Sequence, residues 1–260
     1  MKGVVLAGGL GSRLYPLTFA TNKHLLPIYD KPMVFYPIET LVRAGISEVM
    51  VVTGGPHAGD FIRVLKNGKE LGLKHLEYAF QEHEGGIADA LSLCEDFVDS
   101  DSLAVILGDN TTDADIHDAV QSFEEGAMVF LRKVPDPERF GVPVFDLHDS
   151  RRIVAIEEKP AQPKSQYAVT GLYLYDRHVF KHIKQLEPSA RGELEITDVN
   201  NAYIETGLLR WTELNGFWSD AGTFESLFRT SAYWAQKVTG TACEDFASYI
   251  QEARQGTNSP

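Results

Sequence analysis

The sequence predicts a three-layer α/β protein, in which helices cover both faces of a central, mainly parallel β-sheet. Short apolar runs alternate with helix-like segments through the first half of the chain, and this alternation is typical of parallel strands joined by helices. The runs are apolar almost throughout, as expected for strands buried on both faces. Hydrophobic residues make up 43% of the 260 residues, which is enough for a sizeable buried core.

The first half of the chain supplies this alternation. Pro37 is expected to start or interrupt the first helix, because proline lacks the amide hydrogen that a helix interior needs. The predicted strands span residues 2–7, 48–53, 75–81, 103–107 and 128–132, and the predicted helices span residues 33–44, 60–66, 87–97 and 116–123.

Beyond about residue 134 the pattern changes, because prolines and glycines concentrate at residues 135–143. No stretch resembles a linker, so we predict one domain over residues 1–238, with halves at about 1–133 and 134–238. Residues 239–260 are predicted to form a frayed tail. The second half is predicted to contain strands at 142–146, 153–157, 167–175 and 209–213, and helices at 177–186, 196–206 and 224–236.

Bulk properties exclude several classes of protein. The net charge of -13 argues against a nucleic-acid-binding protein, which normally carries a basic surface. It does not argue against a small anionic substrate. Two cysteines favour a reducing compartment. No apolar run approaches the ~20 residues of a membrane span, and the run at residues 4–7 is too short for a signal peptide. We therefore predict a cytoplasmic protein that binds neither nucleic acid nor membrane.

A glycine-rich loop at residues 8–13, GGLGSR, directly follows the first predicted strand. Glycines there let the backbone approach a phosphate, and Arg13 adds a planar cation suited to phosphate oxygens. The loop does not fit a dinucleotide fingerprint, because position 14 is leucine and the second strand ends without an acidic residue. It also lacks the G-K-[ST] of a Walker A loop. The loop indicates a phosphate beside Arg13, although a tight turn is also compatible with these glycines.

Three other features of the first half each have a functional and an ordinary interpretation. Lys23 suits a polyphosphate, or it is a solvated surface lysine. Asp109 ends a buried strand, where it would suit Mg²⁺, or it caps the next helix. Gln81, which ends the third strand, and Gly86 could read the edge of a pyrimidine, or they belong to an ordinary polar loop.

Two charged segments of the second half also have both a functional and an ordinary structural interpretation. Residues 157–160, EEKP, end a strand at which Lys159 could meet a phosphate and Glu158 could meet sugar hydroxyls. Their ordinary interpretation is a solvated strand end. Asp220 is a second isolated carboxylate, placed after aromatic residues and before a helix, and it could equally be a helix cap.

Taken in order, eight segments resemble the sugar nucleotidyltransferase family. The first resembles its signature loop, and the other seven resemble the glucose-1-phosphate thymidylyltransferases within it. The resemblance covers residues 1 to about 236 with almost no gaps. The segments are residues 2–16 (KGVVLAGGLGSRLYP), 23–32 (KHLLPIYDKP), 107–110 (LGDN), 136–142 (DPERFGV), 157–160 (EEKP), 167–173 (YAVTGLY), 189–198 (SARGELEITD) and 220–223 (DAGT).

The resemblance implies a Rossmann-like, GT-A-like fold with a mixed, mainly parallel sheet. Residues 1–133 would bind a nucleotide and residues 134–238 a sugar phosphate. The implied reaction transfers a nucleotidyl group from dTTP to α-D-glucose 1-phosphate, giving dTDP-glucose and pyrophosphate, the first step of dTDP-L-rhamnose and related deoxysugar synthesis. Mg²⁺ and a homo-oligomer, a dimer or tetramer, are also implied. The same chemistry with UTP or another sugar 1-phosphate remains open, as does a non-catalytic homologue that binds sugar nucleotides.

The resemblance also implies roles for individual residues. Arg13, Lys23 and Asp109 would be catalytic, with Lys23 stabilising the departing pyrophosphate. Asp109 and Asp220 would hold Mg²⁺. The implied nucleotide-binding residues are Leu6, Gly8, Gly9, Gly11, Ser12, Arg13, Lys23, Gln81, Gly86 and Asp109. The implied sugar-phosphate-binding residues are Asn110, Gly141, Glu158, Lys159, Val169, Tyr173 and Arg191.

The chain departs from the family pattern at a few positions. His24 stands where many members have glutamine, Phe140 stands where many have tyrosine, and Thr111 and Thr112 replace apolar or aromatic residues. These changes could tune the choice of sugar or nucleotide. The chain resembles a shorter subgroup, without the C-terminal helical segment that helps form an allosteric product site in longer members. Regulation through such a site is therefore not expected.

Overall fold

A computed structural model describes residues 1–240, so the predicted tail lies outside the described residues except for positions 239 and 240. The strands are β1 (Lys2–Ala7), β2 (Pro27–Ile28), β3 (Lys31–Pro32), β4 (Glu48–Gly54), β5 (His75–Gln81), β6 (Leu103–Leu107), β7 (Asn110–Thr112), β8 (Ala127–Lys133), β9 (Gly141–Phe145), β10 (Ile153–Glu158), β11 (Tyr167–Tyr175), β12 (Leu209–Glu213) and β13 (Trp218–Asp220). The α-helices are α1 (Phe35–Arg43), α2 (Ala58–Leu65), α3 (Ile87–Ser92), α4 (Glu95–Val98), α5 (His117–Gln121), α6 (Val179–Ile183), α7 (Ile196–Glu205) and α8 (Phe224–Thr239).

Nine of these strands form one mixed sheet that runs through both halves of the chain. Its order is β10-β9-β11-β6-β1-β4-β5, with β8 joined to β11 and β12 joined to β8. Strands β6, β1, β4 and β5 are parallel, because helical crossovers connect them. Strand β11 runs antiparallel to β6, β8 and β9. The predicted mixed, mainly parallel sheet is confirmed, with its continuous parallel part in the first half.

The central strands bury both of their faces. Along β1, Val4 and Leu6 pack into one hydrophobic cluster and Val5 and Ala7 into another, because successive side chains of a strand point to opposite faces. Helices α3, α6 and α7 contribute to the first cluster, and α1, α2 and α5 to the second. The predicted three-layer arrangement is therefore present, and the apolar run of β1 follows from it.

Strand β11 changes partners along its length. It pairs with β8 at both ends, but Val169 also faces Gly141 of β9, whereas the last four residues also pair with β6. The pairing with β8 is shifted between Val169 and Tyr173, and Gly171 lies in this interval. A Cβ atom on Gly171 would lie 2.7 Å from Nδ2 of Asn110. Glycine is therefore needed here for β11 to approach β7 so closely.

Helix α8 closes the molecule over a third, smaller cluster. Trp234 of α8 packs there with Leu14, Tyr36 and Ala221, so the helix contacts both the loop after β1 and the segment after β13. A capping box between Thr223 and Ser226 starts the helix. Near its other end, Tyr233 and Lys237 both bind the carboxylate of Asp113, with the Lys237 Nζ atom at 2.7 Å.

One predicted helix was wrong, and one pair of short strands was not predicted. The helix predicted over residues 87–97 is broken into α3 and α4. Leu91, Cys94 and Phe97 all pack into the same cluster, so the apolar spacing continues across the break and hides it. The pair of three-residue strands β7 and β13 was missed, because Asn110–Thr112 carries no apolar alternation. Pro37 lies in the first turn of α1, where proline is tolerated.

Candidate active site

A cleft of about 300 Å³ lies at the carboxyl end of the parallel strands, beside the second half of the chain. Ligands of open α/β sheets bind at this end. Its lining comprises Gly9, Arg13, Lys23, His24, Ile87, Leu107, Asp109, Asn110, Arg139, Phe140, Gly141, Glu158, Lys159, Val169, Gly171, Tyr173, Ile196, Thr197, Asn200, Trp218 and Asp220. The structure thus brings eleven of the predicted site residues together, from segments as far apart as positions 9 and 220.

The glycine loop reaches this cleft directly after β1. Gly11 has a left-handed backbone, with φ of 71°, and a Cβ atom there would lie 2.8 Å from the Cβ of Lys23. Only glycine satisfies both conditions. Leu14 is fully buried and anchors the short 3₁₀ helix Ser12–Leu14, which leaves Arg13 exposed at the cleft. Nη2 of Arg13 lies 3.1 Å from where a Cβ on Gly222 would stand, so the arginine lies against the segment after β13.

Lys23 is not a solvated surface lysine, which corrects that interpretation. Its Nζ atom lies 2.6 Å from Oδ2 of Asp109, and both side chains are 13% exposed. Asn22 caps the 3₁₀ helix Lys23–Leu25 by accepting a hydrogen bond from the amide of His24. Burial raises the pKa of Asp109, but the charge of Lys23 and the hydrogen bonds from Lys23 and Asn110 together hold that pKa well below its usual range. Asp109 is therefore ionised at neutral pH.

His24 is a core residue rather than a surface one. It is 2% exposed, and its Nδ1 atom lies 2.8 Å from Oδ1 of Asn22. Burial, together with the charge of Lys23, lowers its pKa to about 3. The imidazole is therefore uncharged near neutral pH and adds no cation to the cleft.

Asp109 and Asp220 are brought together by the β7–β13 pair. Asp220 lies opposite Asn110 in this pair, and the amide of Ala221 donates to the carbonyl of Asp109 at 2.8 Å. Burial and the neighbouring charge of Asp109 raise the pKa of Asp220. Neither carboxylate caps a helix: the residue that caps α8 is Thr223, and α5 begins only at His117.

The chemistry of this pair fits a divalent cation. Two carboxylates are the usual protein share of a Mg²⁺ site, because the remaining ligands are substrate phosphates and water. Within residues 1–240 no group of three or more histidine, cysteine or acidic side chains could hold a metal. Asp109 and Asp220, which both line the cleft, are therefore the candidate donors for a divalent cation.

Arg139 is a functional candidate that the sequence interpretation did not single out. Its guanidinium bridges Asp220, at 3.0 Å from Nη2 to Oδ2, and Asp136, at 2.8 Å from Nη1 to Oδ2. It also lies over the ring of Phe140, 5.2 Å from the centroid. The only sequence signal was its place in the segment DPERFGV, because its partner Asp220 is distant in sequence. Trp218, Thr197 and Asn200 also line the cleft and were not predicted.

The second half lines the cleft with linked charges. Glu158 accepts from the hydroxyl of Thr197 at 2.6 Å and pairs with the Nζ atom of Lys159 at 2.8 Å. Burial raises the pKa of Glu158, but the hydrogen bonds from Lys159 and Thr197 and the charge of Arg191 outweigh it and lower that pKa. Arg191 lies outside the cleft lining. It binds Glu195 through both carboxylate oxygens, at 2.8 and 2.9 Å, and reaches Glu158 at 3.4 Å.

The predicted base-reading residues form a separate group next to the glycine loop. Gln81 donates to Oδ2 of Asp89 at 2.7 Å and to the carbonyl of Gly86 at 3.2 Å. A Cβ atom on Gly8 would lie 2.6 Å from Oε1 of Gln81, so the amide lies directly against the loop. Leu6, Gly8, Gly11, Ser12, Gln81 and Gly86 do not line the 300 Å³ cleft.

The nucleotidyl transferase family model matches residues 2–237. The chain is 45% identical over 241 residues to a glucose-1-phosphate thymidylyltransferase of Neisseria meningitidis, covering 90% of this chain and 82% of that protein. It is 46% identical over 238 residues to the enzyme of the same name from an Actinoplanes species, covering 90% and 78%.

Solved structures agree with these relatives. A Bacillus anthracis protein assigned as a glucose-1-phosphate thymidylyltransferase, crystallised with sucrose, is 52% identical to the chain and has a TM-score of 0.84, covering 90% of this chain and 94% of that one. A UDP-glucose pyrophosphorylase with bound UDP-glucose has a TM-score of 0.80 at 23% identity, covering 91% and 98%. That likeness concerns the fold alone. No helix among residues 1–240 is long and apolar enough to cross a membrane.

Proposed function

The chain belongs to the nucleotidyl transferase family, and we propose that it transfers the thymidylyl group of dTTP to α-D-glucose 1-phosphate, giving dTDP-glucose and pyrophosphate. One observation carries the proposal. Two cations, Arg13 and Lys23, and two carboxylates, Asp109 and Asp220, meet in one cleft although they come from distant segments. The names of the relatives at 45–46% identity supply the two substrates.

The chemistry needs charge neutralisation and alignment. An oxygen of the sugar 1-phosphate, already anionic, attacks the α-phosphorus of dTTP. The new bond joins that oxygen to the α-phosphorus, and the bond from the α-phosphorus to the bridging oxygen breaks, so pyrophosphate leaves with the electron pair. No general base is required, which agrees with the low pKa of His24, the histidine of the cleft. Positioned cations supply most of the rate in such transfers.

Arg13 and Lys23 serve the triphosphate in this proposal. The exposed guanidinium of Arg13, delivered by the glycine loop, would hold phosphate oxygens through its planar fork. Lys23 is already held at the cleft by Asp109, so its ammonium group is positioned before pyrophosphate leaves. Its charge would stabilise the leaving group.

Asp109 and Asp220 would hold the divalent cation, which we propose to be Mg²⁺. When bound, the ion would offset negative charge on the phosphate oxygens. The protein's contribution is to hold two carboxylates, each with a side chain that is 13% exposed, together at the β7–β13 pair. Arg139, bound to Asp220, limits the repulsion between them.

The sugar phosphate would bind along the second half. Glu158 would accept from sugar hydroxyls and Lys159 would contact the phosphate, with Gly141, Val169 and Tyr173 forming the walls. Arg191 would act near that phosphate from just outside the cleft. On the other side, Gln81 and Gly86 would read the base, assisted by the loop residues beside them.

Three further parts of the proposal rest on the resemblance and the relatives. The protein would be a homo-oligomer, either dimer or tetramer, which sedimentation-equilibrium measurements test. It would act in the cytoplasm. Its product would enter the synthesis of dTDP-L-rhamnose and related deoxysugars, which deletion of the gene followed by analysis of the cellular sugar-nucleotide pool tests.

A matrix of pyrophosphate-release assays tests the function. Each of dTTP, UTP, ATP, CTP and GTP is combined with each of several sugar 1-phosphates, with Mg²⁺ and with EDTA. We expect the highest kcat/KM with dTTP and glucose 1-phosphate, and none in EDTA. A higher kcat/KM with UTP would change the proposed nucleotide substrate to UTP. A higher kcat/KM with another sugar 1-phosphate would change the proposed acceptor. No turnover with any pair would identify a non-catalytic binding protein and overturn the proposal.

A further inference from the structure

We infer that Trp218 is a positioning residue for the reaction, which acts through the side chain of Asn110 to orient the carboxylate of Asp109. The inference rests on the proposed function, in which Asp109 holds the divalent cation. Trp218 lines the cleft, but its role here does not come from contact with a substrate. It comes from a chain of three hydrogen-bonded side chains.

Both carboxylate oxygens of Asp109 are held by the protein. Oδ2 accepts from Nζ of Lys23 at 2.6 Å, and Oδ1 accepts from Nδ2 of Asn110 at 3.0 Å. Asp109 is 9% exposed, so water cannot easily replace either partner. The direction in which its lone pairs point is therefore set by Lys23 on one side and Asn110 on the other.

The orientation of the Asn110 amide is itself determined. Its Oδ1 atom accepts from Nε1 of Trp218 at 2.8 Å and from the backbone amide of Gly171 at 3.1 Å. Both of these groups can only donate. If the amide turned over, two N–H groups would face the NH₂ group, and Asp109 would face a carbonyl oxygen. Trp218 and Gly171 thus keep the NH₂ group of Asn110 directed at Asp109.

Asn110 retains one free hydrogen for a ligand. The NH₂ group carries two hydrogens, and the described contacts use only the one directed at Asp109. Asn110 lines the cleft, so the second hydrogen is available to a substrate hydroxyl or phosphate oxygen. The implied sugar-phosphate role of Asn110 and the positioning of Asp109 are therefore compatible, and both depend on the same amide orientation.

Trp218 is well fixed for this purpose. Its backbone pairs with Thr112 in the β7–β13 pair, and its ring meets that of Phe140 edge-to-face at 5.4 Å. Asp220 lies two residues further along the same short strand. One three-residue strand therefore carries the second carboxylate and orients the first through Asn110.

The substitution Trp218→Phe tests this, because it keeps an aromatic ring against Phe140 and removes the indole N–H. A lost hydrogen bond to a buried group corresponds to about a tenfold effect. We expect kcat to fall about tenfold and the Kd for Mn²⁺, titrated calorimetrically without substrates, to rise about fivefold.

The matched control is Trp211→Phe, which removes an indole N–H that donates to the carbonyl of Arg151 at 2.7 Å. Trp211 packs with Phe145 and Tyr167 and does not line the cleft. The Tm should fall by a similar amount in the two variants, but the Kd for Mn²⁺ should rise only in Trp218→Phe. If the Kd for Mn²⁺ in Trp218→Phe equals that of Trp211→Phe, the inference is wrong, whatever happens to kcat.

A double-mutant cycle gives a second test. If Trp218 acts through Asn110, then adding Trp218→Phe to Asn110→Ala should not weaken Mn²⁺ binding further. Additive losses would overturn the inference. Failure of the proposed function would look different: the wild-type protein would show no turnover of dTTP and glucose 1-phosphate, while the Mn²⁺ titrations would still decide the role of Trp218.

Discussion

The two halves of the cleft present charge to a ligand in different ways. In the first half, Lys23 is paired with Asp109, but Arg13 of the glycine loop forms no hydrogen bond or ion pair with residues 1–240 and acts on Asp220 only through its charge. In the second half, the cations are paired: Lys159 binds Glu158 and Arg191 binds Glu195. A cation without a protein partner can be removed at little cost to folding, whereas a paired one leaves its carboxylate behind.

The difference follows from the elements that supply each half. A short loop after a buried parallel strand has few long side chains of its own, so Arg13 extends into the cleft alone. The second half supplies strand ends and the turn before α7, where Thr197 donates to Glu158, and Ser189 and Arg191 donate to Glu195. The first half therefore resembles a preformed anion cradle, and the second a network in which each charge positions the next.

The largest effect is expected at the boundary of the two halves. Asp109→Asn removes a carboxylate that holds Lys23 and, in our proposal, the cation. Loss of several kcal/mol of charge stabilisation corresponds to a fall in kcat on the order of a thousandfold. Pyrophosphate release measures it, and circular dichroism checks that the fold is retained. Turnover within tenfold of wild type would remove Asp109 from the metal site.

Asp113→Asn is the matched control for that experiment, because Asp113 is a nearby carboxylate that does not line the cleft. It binds Tyr233 and Lys237 of α8, so its loss should act on stability. We expect kcat within about fivefold of wild type and a loss of about 1 kcal/mol in the free energy of unfolding. A thousandfold loss of kcat in this variant would show that the cleft is sensitive to any nearby carboxylate.

The comparison between the halves is tested directly by Arg13→Met and Arg191→Met. Arg13→Met should lower kcat/KM for dTTP about a hundredfold, because charge-assisted hydrogen bonds to phosphate are lost, and leave Tm unchanged. Arg191→Met should lower kcat/KM for glucose 1-phosphate about tenfold. It should also lower Tm by about 2–4 °C, because Glu195 is buried and loses its partner. Equal changes in Tm would contradict the distinction.

A smaller effect is expected from Gly8→Ala in the nucleotide half. The added methyl would lie 2.6 Å from Oε1 of Gln81, and a flexible side chain can move away. Folding should be unaffected, whereas the KM for dTTP should rise about fivefold, as for one lost hydrogen bond. Gly59→Ala is the control, because nothing lies within 4 Å of its added Cβ atom. A change in the KM for glucose 1-phosphate, with no change in the KM for dTTP, would contradict the proposal that Gln81 contacts the nucleotide.

The smallest effect concerns acid stability of the second half. The pKa of Glu158 is lowered in the folded protein, so the unfolded chain binds its proton more readily. Glu158 therefore contributes stability above the ordinary glutamate pKa of about 4.3, and that contribution is lost as pH falls through the lower folded value. Glu158→Gln should reduce the dependence of urea stability on pH below about 4.5. An unchanged slope would mean that Lys159 and Arg191 do not act on this carboxylate in solution.

Local sequence patterns predicted the site residues of the first half, but they did not predict that Asp220 lies beside Asp109. The loop with Arg13 and the strand-end Asp109 could be found because they follow apolar strands of ordinary length. Asp220 could not be placed with Asp109 by local pattern, because the β7–β13 pair that joins them has only three residues on each side. The resemblance supplied that convergence, and the structure brings the two together.

Side-chain partners were the part that the sequence could not supply. Lys23 was compatible with a surface position, and only its contact with Asp109 decides against it. The roles of Arg139 and Trp218 depend on partners 81 and 108 residues away. Such contacts depend on how the strands are paired, whereas periodicity reports only which residues are buried.

The position of helix α8 near the end of the chain determines when the loop after β1 can become packed during synthesis. The loop after β1 packs through Leu14 on Ala221 and Trp234, and Arg13 lies against Gly222. A growing chain produces its N-terminal elements first, so the phosphate-binding loop emerges from the ribosome more than 200 residues before its support. The first part of the site to be synthesised therefore acquires its packing against Trp234 only after α8 has been made.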